Sequence, residues 1–190
     1  DRVEVIPNGI NCDRLGSLRT RDEVFRQFHI DPAKRLIGSI GRLCPTKGLE
    51  EFLEAAKQVN DKLPDVAWMI VGEDIEFGGT YERKLRMRAE ELGLNGQVIF
   101  TGHQVDPFSL INAWDVFVHP SWGEGIPLVI LEAMALKKVV IASAVGGVPE
   151  VVQNDETGIL VPPKDPQALS QAVLKVLKNS ELARTMGEAA

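Results

Sequence analysis

The chain has 190 residues, 44% of them hydrophobic and 25% charged, ordinary globular proportions that exclude disordered, collagen-like and coiled-coil chains. Lys and Arg number 21 against 27 Asp and Glu, a formal net charge of −6, which argues against nucleic acid held by bulk phosphate attraction and requires any bound anion to be gripped locally. A chain of this size can bury about 70% of its unfolded surface, so its core needs neither disulfides nor a structural metal.

Cys12 and Cys44 stand far apart, with no second Cys or His at metal-ligand spacing beside either, so a reducing cytoplasm is the expected setting. No run of 18 apolar residues occurs, and the first residues are polar, which gives neither a membrane span nor a signal peptide. Residue 1 is Asp, and residues 183–190 read as a helix with no stop signal. Both ends are expected to be cuts in a longer protein.

In chain order, short runs rich in Val, Ile and Phe at 3–6, 36–40, 66–71, 98–101, 116–119, 139–142 and 159–161 read as buried strands. Between them lie segments with helical spacing, carried by Leu49, Phe52, Leu53, Ala56 and Val59, by Leu85, Ala89 and Leu92, and by Leu128, Leu131, Glu132 and Ala135. A last helix is expected at 166–177, outside the crossovers. Strands alternating with helices predict βαβ units and a doubly wound, mainly parallel, Rossmann-like α/β sheet. Ligands of such sheets bind at the carboxyl ends of strands, over helix N-termini, so the loops after strands are where function is sought.

The loop after the strand at 36–40 reads Gly41-Arg42-Leu43-Cys44-Pro45-Thr46-Lys47-Gly48. A planar Arg fork and a Lys point charge beside a helix start suit a diphosphate, although two solvated surface cations would look the same. The order is not that of a Walker loop, and no G-x-G-x-x-G occurs. The loop after 116–119 reads Pro120-Ser121-Trp122-Gly123-Glu124-Gly125-Ile126-Pro127 and runs into a helix beginning near Leu128. Pro127 suits the first helical position, and the N–H groups of Leu128 and Val129 would then face an anion.

On a continuous helix, Glu124 and Glu132 would stand about 80° apart around the axis and about 12 Å along it, too far to meet one small group. Glu124 at the helix mouth is a favourable charge on the dipole. Glu132, among Leu131, Ala133, Met134 and Ala135, needs a partner. Either it accepts from the paired hydroxyls of a ribose or it forms an ion pair with Lys137, Lys138 or an Arg elsewhere. Further strand-end loops carry Gly72-Glu73-Asp74, Gly102-His103-Gln104 and Val145-Gly146-Gly147-Val148. The last of these could bring backbone N–H groups against a phosphate or sugar.

Taken together, Asn8-Gly9-Ile10, Gly41-Arg42 with Lys47-Gly48, Val71-Gly72-Glu73, Thr101-Gly102 and above all Glu124-x7-Glu132 within P-S-W-G-E-G-I-P-L-V-I-L-E-A-M-A resemble glycosyltransferase family 4. The resemblance spans nearly the whole chain and implies the C-terminal, donor-binding half of a two-domain GT-B fold. It implies a retaining, metal-independent transfer from a nucleotide-diphosphate sugar, with no cofactor. The N-terminal acceptor domain would be absent from this chain, leaving residues 1–190 inactive alone. By the same resemblance, Arg42 and Lys47 hold the diphosphate, and Glu132 binds ribose. Glu124 lies by the donor sugar, and backbone at Gly125, Ile126, Pro127 and Leu128 helps hold phosphate and sugar. Gly72 joins the donor site, and the loop of His103 and Val105 lies near the base. Glu124, Arg42 and Lys47 are the expected catalytic set.

No two Asp stand at D-x-D spacing, which fits cations and a helix end stabilising the leaving diphosphate without metal. Asn11 replaces the Asp often found after Asn-Gly-Ile, and Ile126-Pro127 replaces an aromatic residue and Gly. The partners implied are the donor and the missing domain, through which peripheral membrane contact is allowed, and no nucleic acid. Two rival readings are a glycoside hydrolase using Glu124 and Glu132 and a non-catalytic nucleotide-sugar module; an epimerase or phosphorylase would share the fold. Among other residues, His119 is expected to be structural, His103 to lie by the base and His29 to be on the surface. Trp68 and Trp114 are expected in the core and Trp122 in the cleft. Arg83, Lys84, Arg86 and Arg88 read as a solvated face.

Overall fold

In strand β2 (Val66–Val71) every residue is buried. Val66, Trp68 and Ile70 enter one apolar core, whereas Ala67, Met69 and Val71 enter another. A strand buried on both faces must be covered on both by helices. The computed structural model, which describes residues 8–12 and 17–190, has that arrangement.

The six strands β1 (Arg35–Ile40), β2, β3 (Val98–Phe100), β4 (Val116–His119), β5 (Val140–Ser143) and β6 (Gly158–Val161) form one sheet in the order β3-β2-β1-β4-β5-β6. All pairings are parallel. The doubly wound, Rossmann-like expectation therefore holds, with strand ends shifted by a residue or so. The strand expected at 3–6 lies outside the described residues.

One face is covered by α2 (Leu49–Asn60), α3 (Thr80–Glu91), α7 (Pro166–Leu177) and α8 (Ser180–Ala189), the other by α1 (Arg21–Gln27), α4 (Pro107–Ala113), α5 (Leu128–Ala135) and α6 (Val148–Val151). Trp68 packs edge-on against Phe52, ring centroids 5.1 Å apart, and donates its indole N–H to Asn60. Trp114 is buried in the opposite core. Among the described residues no helix is long and apolar enough to cross a membrane.

Strand order reverses between β1 and β4, so their carboxyl ends flank the crevice where such sheets take ligands. The loops leaving these two strands are locked together. The Trp122 N–H donates to the Thr46 carbonyl at 2.8 Å. Gly48 lies in the left-handed region (φ 64°), where an added Cβ would sit 2.0 Å from the Pro120 carbonyl oxygen.

Candidate functional site

The loop of residues 41–48 leaves β1 and closes with a short 3-10 turn at Pro45–Lys47 before α2 begins. That turn carries Lys47 across the crevice, where its Nζ donates to Glu124 Oε1 at 2.5 Å. Arg42 instead reaches towards the loop after β2 and pairs with Glu76, both side chains largely exposed. Exposed pairs of this kind contribute little to stability, so Arg42 is available to an incoming anion.

Two adjoining spaces meet at Arg42. A small recess beside Lys47 is lined by Ser39, Arg42, His119 and Ser121. A larger cleft of about 220 Å³ runs along Ile40, Arg42, Gly72, Ile75, His103 and Gln104. The structure thus brings together Arg42, Lys47, Gly72, His103 and Glu124, which are distant in sequence. Val105 is not in the cleft lining; it is 91% exposed, at a bend just before Asp106 caps α4.

Glu124 lies in the loop after β4, its side chain 13% exposed. It meets Lys47 and also His119, whose Nε2 is 2.9 Å from Glu124 Oε1 and 3.1 Å from Ser121 Oγ. Burial pushes the carboxyl pKa up, but hydrogen bonds from His119, Lys47 and Ser121 outweigh it and bring the value down to about 2. A carboxyl depressed in the folded state stabilises fully above its ordinary value of 4.5, and that contribution is lost as pH falls towards about 2.

Several expectations change. Pro127 is the N-cap of α5 rather than its first residue, with ψ 121°; Glu124 stands in the loop at the helix mouth, as expected, so the offset of a continuous helix does not apply to it and Glu132. Glu132 is half-buried in the second turn of α5. The N–H groups of Leu128 and Val129 lie in the first turn, where no intrahelical acceptor exists. The Gly146-Gly147 loop props the loop that carries Glu124, the Gly147 N–H donating to the Gly125 carbonyl at 3.0 Å.

The Ile126 carbonyl accepts from Asn8 at 3.1 Å. Trp122 does not line the cleft: its indole N–H donates to Glu51 and Lys164 lies over its ring. His119 is buried and His29 exposed, as expected. In the basic cluster, Lys84, Arg86 and Arg88 are paired with Glu50, Glu82 and Glu54.

Sequence reasoning named Asp74 only as part of a strand-end loop and missed Glu76. Asp74 accepts from the N–H groups of Phe77, Tyr81 and Glu82, fixing the loop that carries Glu76. Burial acts against its ionisation, yet these bonds hold its pKa below the usual carboxylate value. The signal was present in a Gly-rich stretch ahead of a helix without its own capping side chain.

The family model for glycosyl transferases group 1 matches residues 20–190. The chain belongs to the group 1 glycosyltransferases. It is 33% identical to D-inositol 3-phosphate glycosyltransferase of Corynebacterium jeikeium, an alignment covering 98% of this chain and 46% of that protein. To lipopolysaccharide core biosynthesis mannosyltransferase LpsB of Rhizobium meliloti it is 30% identical, over 88% of this chain and 48% of the relative.

Among solved structures, the C-terminal domain of the group 1 protein LpcC from Francisella tularensis superposes with a TM-score of 0.85 at 33% identity, covering 95% of this chain and 94% of that one. Anabaena Alr3699/HepE in complex with UDP-glucose superposes at 0.90 and 26% identity, over 98% of this chain and 50% of that one. This chain thus spans about half the length of the curated relatives it matches, and its sheet is that of a C-terminal domain of the family.

Proposed function

We propose that this chain binds the nucleotide-diphosphate sugar for a retaining, metal-independent glycosyl transfer whose acceptor is held by a further domain. The observation that carries the reading is the gathering of Arg42, Lys47 and Glu124 at the carboxyl edge of β1 and β4, in the loops that run into α2 and α5, beside a cleft lined by Gly72 and His103. The UDP-glucose complex of HepE, a relative with the same sheet, supports it.

In this reading Arg42 and Lys47 grip the diphosphate and the first turn of α5 adds N–H groups. Glu132 takes the ribose hydroxyls, Gly72 and His103 border the base, and Glu124 with the backbone of Gly125, Ile126, Pro127 and Leu128 faces phosphate and sugar. As the glycosidic bond breaks, the leaving diphosphate gains negative charge. Cations and helix N–H groups already fixed there stabilise that state more than the ground state.

A glycoside hydrolase with Glu124 as its general acid is disfavoured by Glu124 itself. A general acid must be protonated near the working pH, and hydrogen bonds from His119 and Lys47 bring this carboxyl down to about 2 against the opposing effect of burial. Both described cysteines are free thiols, which suits a reducing cytoplasm. The remaining domain is where acceptor and any membrane contact belong, and this half alone transfers little or no sugar.

A thermal-shift screen of nucleoside diphosphates and their sugars tests the reading. A ligand at 100 times its Kd adds about 2.7 kcal/mol, which for a chain of this size raises Tm by roughly 5–11 °C. The expected result is a shift with one base and a larger one with its sugar. No shift with any member of the set contradicts the proposal.

A further inference from the structure

His119 ends β4 with its side chain 2% exposed and stacks on Phe117 at 6.2 Å between ring centroids. Its Nε2 faces Glu124 and Ser121, whereas its Nδ1 is buried with no hydrogen-bond partner among the described residues. An ionised carboxylate can only accept, so the Nε2 position donates its N–H to Glu124.

Glu124 Oε1 consequently serves two donors of different character. Lys47 is a flexible side chain on the crevice, 20% exposed, whereas His119 is fixed by a strand. An anion in the crevice competes with Glu124 for Lys47. Without His119, departure of Lys47 would leave a nearly buried carboxylate with only the neutral Ser121 hydroxyl, and the pair would resist opening.

The geometry points to His119 as a positioning residue that keeps Glu124 in place through its Nε2–H, so that Lys47 can turn to the donor diphosphate. This rests on the donor reading above. It predicts that a side chain lacking a donor at that point holds Lys47 back from the diphosphate and lets the Glu124 carboxylate drift.

The test uses the 190-residue chain as wild type, His119→Leu, His119→Gln and Glu124→Gln. Gln places an amide N–H near the Nε2 position and Leu does not. In carbon-detected NMR, the Glu124 carboxyl is expected to titrate near 2 in the wild type, to remain low in His119→Gln and to rise towards 4.5 in His119→Leu. By calorimetry with UDP-glucose and GDP-mannose as probes, His119→Leu raises the Kd of the bound probe about 10-fold, and Gln restores it to within about 3-fold. In the Glu124→Gln background, His119→Leu adds nothing further.

An unchanged carboxyl titration in His119→Leu overturns the inference, as do effects of His119→Leu and Glu124→Gln that simply add. If Leu does not fold, His119→Asn takes its place, since its amide falls at Nδ1 and leaves Glu124 without the donor. Failure of the wild-type chain to bind either probe counts against the donor reading, while the ligand-free carboxyl titration still decides whether His119 holds Glu124.

Discussion

Lys47→Ala is expected to raise the Kd for the nucleotide-diphosphate sugar by about 10- to 100-fold, because charge-assisted hydrogen bonds to a diphosphate are each worth about 1.5–3 kcal/mol. The variant should fold, since Glu124 retains His119 and Ser121 around its carboxylate. Arg42→Ala is expected to act in the same direction. Its guanidinium is exposed and tied only to the exposed Glu76, so its removal leaves stability nearly unchanged and is read almost entirely in affinity. The losses should shrink as salt is raised, because screening weakens both contacts. Calorimetric titration measures this directly, and an affinity unchanged in both variants contradicts the assignment of the two cations.

Gly146→Ala is expected to damage the site from outside it. Gly146 has φ +51°, and an added Cβ would lie 1.7 Å from the Glu124 carbonyl oxygen. The left-handed conformation alone costs a non-glycine residue about 1–2 kcal/mol, or roughly 2–8 °C in Tm for a chain of this length. The clash is with backbone, so it is relieved only by moving the loop that carries Glu124. The same displacement strains the Gly147 N–H bond to Gly125. Lower Tm together with weaker donor binding is the expected pair of results; a variant with wild-type values of both would show that this loop does not set the position of Glu124.

The sheet was readable because its strands are apolar on both faces and end abruptly. The six buried residues of β2 are bounded by Asp65 and Gly72, which leaves little choice of register. Helix α1 was not legible in advance: with only Val24 and Phe25 buried in seven residues, its apolar signal is too short, and the Thr20–Glu23 capping box defines it instead.

Within the site, Arg42, Lys47, Glu124 and Glu132 stood out by residue type and spacing. Their pairings did not. Lys47 meets Glu124 across 77 positions and Arg42 meets Glu76 across 34, contacts made by strand order rather than local sequence. The placement of Glu124 ahead of the helix was legible from Pro127, which marks the helix start, and Ile126 before it is disfavoured in helical conformation. The Gly146-Gly147 pair was ambiguous because glycine permits close approach equally to a ligand and to backbone, and only the fold reveals Glu124 and Gly125 as its neighbours.

The central claim is that one crevice, at the carboxyl ends of β1 and β4, receives a nucleotide-diphosphate sugar. It is tested most directly by mapping amide chemical-shift changes across the chain as UDP-glucose or GDP-mannose is titrated. The expected shifts cluster at residues 41–48, at Gly72 and His103, and at Leu128, Val129 and Glu132. Shifts confined elsewhere, such as the groove of Arg83 and Met87 between α2 and α3, or no shifts with either ligand, would contradict it.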